Sequence, residues 1–215
     1  MPVPPVFACG GLSFPDCDFV SYILLKNSAE AQAGTLCTRL SSLFPEMRFE
    51  VRNGFLNCRA ESAFLADRLE AFLQTADTKL QNEEAIPGED FYTVYAVNRL
   101  QVLLREFAAK ESDEPAQEKE ALIQLLDRDP VLRTGTLLML SASGMLDMCR
   151  AYGEKSFAIC FQSGIKKDRT RENAARLFYL YDCARQNADE INFLFYRAML
   201  AFLCFSAEGR QRSGK

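Results

Sequence analysis

The chain has 215 residues, of which 48% are hydrophobic and 25% charged, and its formal net charge is −4. This composition is typical of a globular protein with enough apolar residues for a core, in one domain or two small ones. The negative charge excludes a global positive field that attracts nucleic acid or anionic membranes, so such binding would need a local patch.

The sequence contains no histidine and eight cysteines. Lack of histidine excludes the Ser-His-Asp and Cys-His arrangements and histidine metal ligation. No two cysteines form a C-x-x-C pair, so we expect mostly buried free thiols, with a disulfide set or a metal site as weaker alternatives. The opening residues lack a secretory signal pattern, and the longest apolar run, 198–205, is well short of the ~20 residues of a membrane span. We therefore expect a cytoplasmic protein that does not enter a membrane.

The first predicted element is a strand over 18–26, DFVSYILLK. Its β-branched and aromatic residues make both faces apolar, which is typical of a central strand covered on both sides. A helix is expected to follow, capped by Asn27 or Ser28 and ending near Phe44, because Pro45 cannot continue it.

Residues 47–60 predict a hairpin, since Asn53-Gly54 is a dipeptide that a type I′ turn favours. This turn fixes the register and places Arg48 opposite Arg59. One face of the hairpin is then apolar throughout, with Met47, Phe49, Val51, Leu56, Cys58 and Ala60. The opposite face, called here the outer hairpin face, carries Arg48, Glu50, Arg52, Phe55, Asn57 and Arg59.

A second helix, roughly 62–76, completes a β-α-β-β-α unit in which both helices are expected to cover the apolar hairpin face. The predicted fold class is α+β: an N-terminal β-α-β-β-α two-layer unit followed by a mostly α-helical bundle. The predicted division is a small α+β domain over 1–80, an acidic linker over 81–90, a helical domain over 91–207 and a disordered tail over 208–215.

Hydrophobic periodicity in the second half predicts helices. In chain order the five predicted helices span residues 91–110, about 116–128, from Asp129 towards Tyr152, about 170–186 and 189–205. The buried side of the first is expected to hold Val94, Val97, Leu100, Leu104 and Phe107. The last helix is apolar almost all round, which indicates a central position in a bundle. The segment KSFAICFQSG, 155–164, is ambiguous between strand and helix.

No arrangement of residues indicates a catalytic, cofactor or metal site. The glycines of ACGGLS, 8–13, lack the spacing of a phosphate-binding loop, and no cysteine stands beside the groups that stabilise a thiolate. The acidic pairs Asp127/Asp129 and Glu89/Asp90 are explained by helix ends and caps. We therefore expect a protein that is not an enzyme, with carboxylate-based catalysis as the weakest alternative.

The outer hairpin face is the first candidate binding surface, and its candidate residues are Arg48, Arg52, Phe55 and Arg59. Arginines beside aromatic rings on an open sheet face suit single-stranded nucleic acid. A protein partner, a covering helix from the second half, or plain solvation explains the same residues, and Glu50 can offset the nearest arginines.

A second candidate is the basic cluster before and within the predicted 170–186 helix, formed by Lys166, Lys167, Arg169 and Arg171. Cations at a helix N-terminus oppose the helix dipole, so an anion or an acidic partner surface would suit them. A solvated loop is the simpler explanation, because Asp168 and Glu172 interrupt the run.

The closing helices carry many aromatic residues, namely Phe178, Tyr179, Tyr181, Phe193, Phe195, Tyr196, Phe202 and Phe205. Most are expected in the core, and some to mark a homo-oligomer or partner contact. The favoured function is a non-enzymatic protein-interaction module, that is an adaptor, regulator or assembly component. It would bind another protein or itself through the helical half and the outer hairpin face. The alternative is single-stranded nucleic-acid binding by that face, and no cofactor is expected.

Overall fold

The structure is a computed structural model that describes residues 6–9, 17–21, 33–80, 90–108, 115–152, 157–161, 167–184 and 192–205. The fold class is α+β, as predicted, and most of the described residues are helical. The elements are β1 Val6–Cys9, β2 Phe19–Ser21, α1 Ala33–Leu43, β3 Met47–Arg52, β4 Phe55–Ala60, α2 Ser62–Leu80, α3 Phe91–Ala108, α4 Pro115–Arg128, α5 Pro130–Ala142, β5 Met148–Tyr152, β6 Phe157–Phe161, α6 Lys167–Ala184 and α7 Phe193–Phe205.

The strands form one sheet in the order β3-β4-β2-β1-β6-β5. β1 and β6 are parallel, and the other neighbouring strands are antiparallel. The hairpin β3–β4 has the predicted register, with Arg48 opposite Arg59. Asn53 has φ 55° and Gly54 φ 76°, the two positive values that a type I′ turn requires. The predicted hairpin is therefore confirmed residue by residue.

β2 lies inside the sheet, between β4 and β1. Phe19 and Val20 point to opposite faces and are 1% and 4% exposed, as expected of a strand covered on both sides. The rest of the predicted strand, 22–26, lies outside the described residues, as do the helix caps proposed at Asn27 and Ser28.

The sheet is curved. In a flat sheet, five strand spacings of about 4.8 Å would separate β3 from β5 by roughly 24 Å. Arg150 of β5 nevertheless donates hydrogen bonds to the Leu43 carbonyl and to Glu46, the residue before β3. Its guanidinium carbon also lies 4.7 Å from the centroid of the Phe44 ring. The segment between α1 and β3 therefore bridges the two edges of the sheet.

The predicted helix from Asp129 towards Tyr152 is wrong in its second half. Asp129 caps α5 as expected, because its Oδ1 accepts from the backbone N–H groups of Val131 and Leu132 at 2.8 and 2.9 Å. The helix then ends at Ala142, and Gly144 reverses the chain with φ 75°. Residues 148–152 pair with 157–161 as β5 and β6, so the central part of the ambiguous 155–164 segment is a strand.

The apolar core draws on both halves of the chain. α7 packs against α2, α3, α4, α5 and α6, which confirms its predicted central position. α1 covers β3, whereas α2 packs mainly on α7 and α4. Nearly all of the predicted linker, 81–89, and the whole tail 208–215 lie outside the described residues, and the division into domains stays a prediction. No helix in the described ranges combines the length and the apolar character that a membrane span requires.

Candidate interaction surfaces

The outer hairpin face is partly exposed. Arg48 and Arg52 are exposed, Phe55 and Arg59 are half-buried, and Asn57 is only 8% exposed. Exposure is therefore greatest on the edge strand β3 and falls towards β2. The sheet brings the four predicted residues to one face, but this face is not an open platform across its width.

Arg48 already binds an anion of the same chain. Its Nε donates to Glu61 Oε1 at 2.5 Å and its Nη2 donates to Glu61 Oε2 at 3.0 Å. The hydrogen bond and charge of Glu61 raise the pKa of Arg48. Glu61 thus places a negative charge on Arg48, which offsets the repulsion expected between Arg48 and the facing Arg59.

The basic cluster is divided between different surroundings. Lys166 lies outside the described residues. Lys167 and Arg169 belong to the first turn of α6, but the structure does not describe their side chains. Arg171 is half-buried and lies near Asp90 of the adjoining helix. Burial alone would raise the pKa of Asp90, but hydrogen bonds from Thr93 and the charge of Arg171 lower it. At least one of the four cations therefore acts between helices.

The acidic candidates have structural partners. Asp90 Oδ1 accepts from the backbone N–H of Thr93 at 2.9 Å and so caps α3. Asp127 Oδ1 accepts from the Ser62 hydroxyl at 2.6 Å. Asp90 and Asp129 therefore have the capping role that the sequence predicts, whereas Asp127 links α4 to the start of α2, and Glu89 lies outside the described residues.

A buried ion pair that sequence analysis missed joins α5 to the sheet. Arg133 makes a bidentate ion pair with Asp18, in which Nε donates to Oδ1 at 2.8 Å and Nη2 donates to Oδ2 at 2.7 Å. The side chains of Arg133 and Asp18 are 5% and 4% exposed. Its other N–H groups donate to the Ala60 carbonyl at 2.5 Å, the Ser62 hydroxyl at 2.8 Å and the Leu126 carbonyl at 3.2 Å. All five guanidinium donors are satisfied, as a buried arginine requires.

The described cysteines whose side chains are placed are free thiols in different environments. Cys17 and Cys58 are buried, Cys37 and Cys204 are half-buried, and Cys183 is exposed. Burial, with a smaller contribution from Asp18, raises the pKa of Cys58 well above its usual value. In the part of the chain that the structure describes, no group of three or more cysteine or acidic side chains is placed to hold a metal ion.

Helices α3 and α6 pack side by side and run in the same direction. Tyr92 contacts Arg176, whose guanidinium carbon lies 4.9 Å from the centroid of the ring. One turn further along both helices, Tyr95 contacts Tyr179 with ring centroids 5.0 Å apart. Beyond these, Arg99 Nε lies 3.1 Å from the carboxylate of Asp182, so successive turns of one helix meet successive turns of the other.

Four aromatic rings meet along this junction. Phe91 packs on Tyr92, Tyr95 and Tyr179 with centroid distances of 5.4, 6.3 and 6.1 Å. Tyr92 and Tyr179 are 5.5 Å apart with their planes inclined at 68°. Three of these contacts are edge-to-face and the one between Phe91 and Tyr95 is stacked, both favourable arrangements for aromatic pairs, and Phe91 remains 66% exposed.

Asp182 fixes the two helices against each other. Its side chain is 5% exposed, and its Oδ2 accepts from the Tyr95 hydroxyl at 2.7 Å and from Arg99 Nε at 3.1 Å. Burial and the hydrogen bond to Asp182 raise the pKa of Tyr95 to about 12. The Asp182 carboxylate thus links α6 to Tyr95 and Arg99 of α3.

The exposed large hydrophobic side chains of the described residues all lie on these two helices. Phe91, Val94 and Val102 of α3 are 66%, 37% and 43% exposed, and Leu180 of α6 is 48% exposed. Together with the aromatic cluster they define the α3–α6 face. Elsewhere in the described chain, large apolar side chains are buried or half-buried.

Comparison with known proteins gives no identification. No family model, curated protein or solved structure matches this chain.

Sequence analysis anticipated this face only in part. Some of the eight aromatic residues of the closing helices were expected to mark a contact, without distinction among them, and Tyr179 is the one that lies on this face. Most were expected in the core, and Phe178, Tyr181, Phe195, Tyr196 and Phe202 are core residues. Phe193 is half-buried and the side chain of Phe205 is not described. The burial predicted for Val94 is wrong, because its side chain is 37% exposed. Leu100, which is fully buried, marks the core side of the helix, and a residue six positions away points about 120° from that side.

Proposed function

We propose that this chain is a non-enzymatic protein-interaction module, an adaptor, regulator or assembly component, that binds its partner through the α3–α6 face. The observation that carries this proposal is the concentration of the exposed large hydrophobic side chains on two adjoining helices. Exposed hydrophobic residues scattered singly are ordinary on a protein surface, whereas several gathered on one side of it are typical of binding sites.

The composition of the face supports the proposal. Aromatic residues and arginine are enriched in protein interfaces, and here Arg99 and Arg176 adjoin the four aromatic rings. Complete burial of a side chain such as phenylalanine or leucine contributes ~1.5–3 kcal/mol, so Phe91 and Leu180 retain a large part of this free energy for a partner. The bonds of Asp182 order the face before binding, which lowers the entropy lost on association.

The carboxylates of Asp18, Asp90, Asp127 and Asp129 each accept hydrogen bonds from other groups of the chain. These bonds support a structural role for the four side chains.

The outer hairpin face gives the alternative function, single-stranded nucleic-acid binding. Its support is the exposed Arg52 directly opposite Phe55 at the end of the hairpin. Its support is weaker than that of the α3–α6 face, because Arg48 is bound by Glu61 and Asn57 is buried.

Capture from an extract of the source cells tests the proposal with matched variants. Tagged wild-type chain should retain a discrete protein that Leu180→Asp loses, because the substitution puts a charge into the apolar face. Two control variants should still retain that protein: Arg52→Glu on the hairpin and Ala121→Asp on the exposed side of α4. Loss in Arg52→Glu with retention in Leu180→Asp would contradict the proposal. Binding of a labelled oligonucleotide that weakens steeply with salt and is lost in Arg52→Glu would support the alternative.

A further inference from the structure

We infer that a second copy of this chain occupies the α3–α6 face, through antiparallel pairing of the two α3 helices about a twofold axis at Asn98. This inference rests on the proposed function for the location of the binding surface, and it names the occupant. It is carried by the order of the exposed residues along α3.

The exposed row of α3 is symmetric about its centre. Its residues are Phe91, Val94, Asn98, Val102 and Arg105, and all five are exposed. The spacings along the chain are three, four, four and three residues, which places them on one side of the helix. Asn98 stands in the middle, with a valine four residues away on each side.

Antiparallel pairing of this row with itself matches each side chain with a suitable partner. A twofold axis at Asn98 sets Val94 against Val102 of the second copy, and Phe91 against Arg105 of the second copy. The two valine contacts are apolar, and the arginine meets the face of a phenylalanine ring, a cation–π contact that this chain already makes between Arg68 and Phe64 at 4.9 Å.

The amide of Asn98 fits the axis itself. An asparagine side chain carries one acceptor and two donors, so two copies related by twofold symmetry can donate to and accept from each other. A polar pair in an otherwise apolar helix contact fixes the register, because a slip of one helical turn leaves both amides against valine. Parallel pairing is less favourable, since it sets Arg105 against Arg105 and brings like charges together.

The size of this contact sets the expected strength. A stable interface buries roughly 800 Å² on each partner. Five side chains of one helix supply less than this, even with Tyr179 and Leu180 of α6 at the flank. We therefore expect a dimer that predominates at about 100 μM and dissociates near 1 μM, the range of a weak specific contact.

Light scattering of the full chain across this concentration range tests the pairing with a charge exchange. Val94→Asp and Val102→Lys should each weaken self-association about 30-fold or more, because the symmetry places each unpartnered charge in the interface twice. The double variant V94D/V102K should dimerise again, since each Asp at 94 then faces a Lys at 102 of the other copy, and this recovery should decline with added salt. Ala121→Asp, on the exposed side of α4, should dimerise as the wild type does.

Three results would overturn the inference: wild-type chain that is monomeric at 100 μM, single variants that dimerise like the wild type, or a double variant no better than the singles. Circular dichroism confirms that each variant folds, which is expected because both valines are exposed. A monomeric wild type whose captured partner is lost in Leu180→Asp overturns the inference but not the proposed function. A dimer that passes the charge exchange supports the inference even when the extract yields no other protein.

Discussion

Arg133 and Asp18 connect the helical half of the chain to the sheet across 115 positions of sequence. Both are nearly inaccessible to water, and the backbone N–H of Ala60 also donates to Asp18 at 2.8 Å. Burying two charges is costly, so the pair is favourable only while every donor and acceptor is satisfied.

Replacing Arg133 with methionine should therefore destabilise the protein by about 3–5 kcal/mol, because the Asp18 carboxylate remains buried without its counter-charge. Urea denaturation followed by circular dichroism measures the free energy of unfolding. Arg48→Met is a matched control, since Arg48 makes the same kind of bidentate ion pair with Glu61 but its side chain is 77% exposed. Water solvates Glu61 after that substitution, so the loss should be much smaller. Equal losses in the two variants would show that burial does not decide the strength of these pairs.

Tyr95 makes the stability of the α3–α6 junction depend on pH. Its pKa in the folded protein is about 12, raised by burial and by the bond to Asp182, against 10.0 ordinarily. The folded state thus favours the neutral phenol, and the contribution of this group to stability is complete below pH 10 and lost as the pH rises through 12. We expect the difference in free energy of unfolding between wild type and Tyr95→Phe to shrink between pH 9 and pH 12. A constant difference over that range would contradict the role given to Asp182.

Sequence analysis did not identify these residues as interacting partners, for a physical reason. Arg133 lies in an apolar stretch with Leu132 and Leu137, so its burial was open to inference, but its partner Asp18 is brought to it only by the tertiary fold. The caps at Asp90 and Asp129 were predictable, because a cap depends on residues two or three positions away.

At the level of elements, the β3–β4 hairpin is the part best specified by local sequence. Asn53-Gly54 sets the turn, and alternation of apolar residues sets which face is buried. The same reasoning could not find the pairing of β1 with β6, because Val6 and Cys160 are neighbours only after the intervening chain has folded. It also extended α5 too far, since the apolar residues after Ala142 suit a strand as well as a helix.

The turn gives a direct test at Gly54. Gly54 has φ 76°, a backbone conformation that is strained for any residue with a Cβ atom. Gly54→Ala should therefore lower the free energy of unfolding by about 1–2 kcal/mol. Gly34→Ala is the matched control, because Gly34 is in the helix α1 with no atom within 4 Å of an added Cβ. That substitution should be neutral or stabilise by up to about 1 kcal/mol. Thermal denaturation of both variants decides the point, and a neutral Gly54→Ala would refute the type I′ turn.

At the scale of the whole molecule, one core unites residues from both sides of the predicted linker. Leu65 and Leu69 of α2 belong to the same buried cluster as Phe195 and Met199 of α7. The α+β class followed from the order of the predicted elements. The α3–α6 face did not, because which side of an amphipathic helix remains uncovered depends on how its neighbours pack.

The central claim is that this uncovered side is where the protein meets its partner. Photo-cross-linking in the source cells tests it most directly, with a benzoylphenylalanine placed at Leu180 on the α3–α6 face or at Gln124 on exposed α4. We predict discrete protein adducts at position 180, a second copy of the chain among them, and none at 124. The same adducts at both positions, or no adduct at 180, would contradict the account.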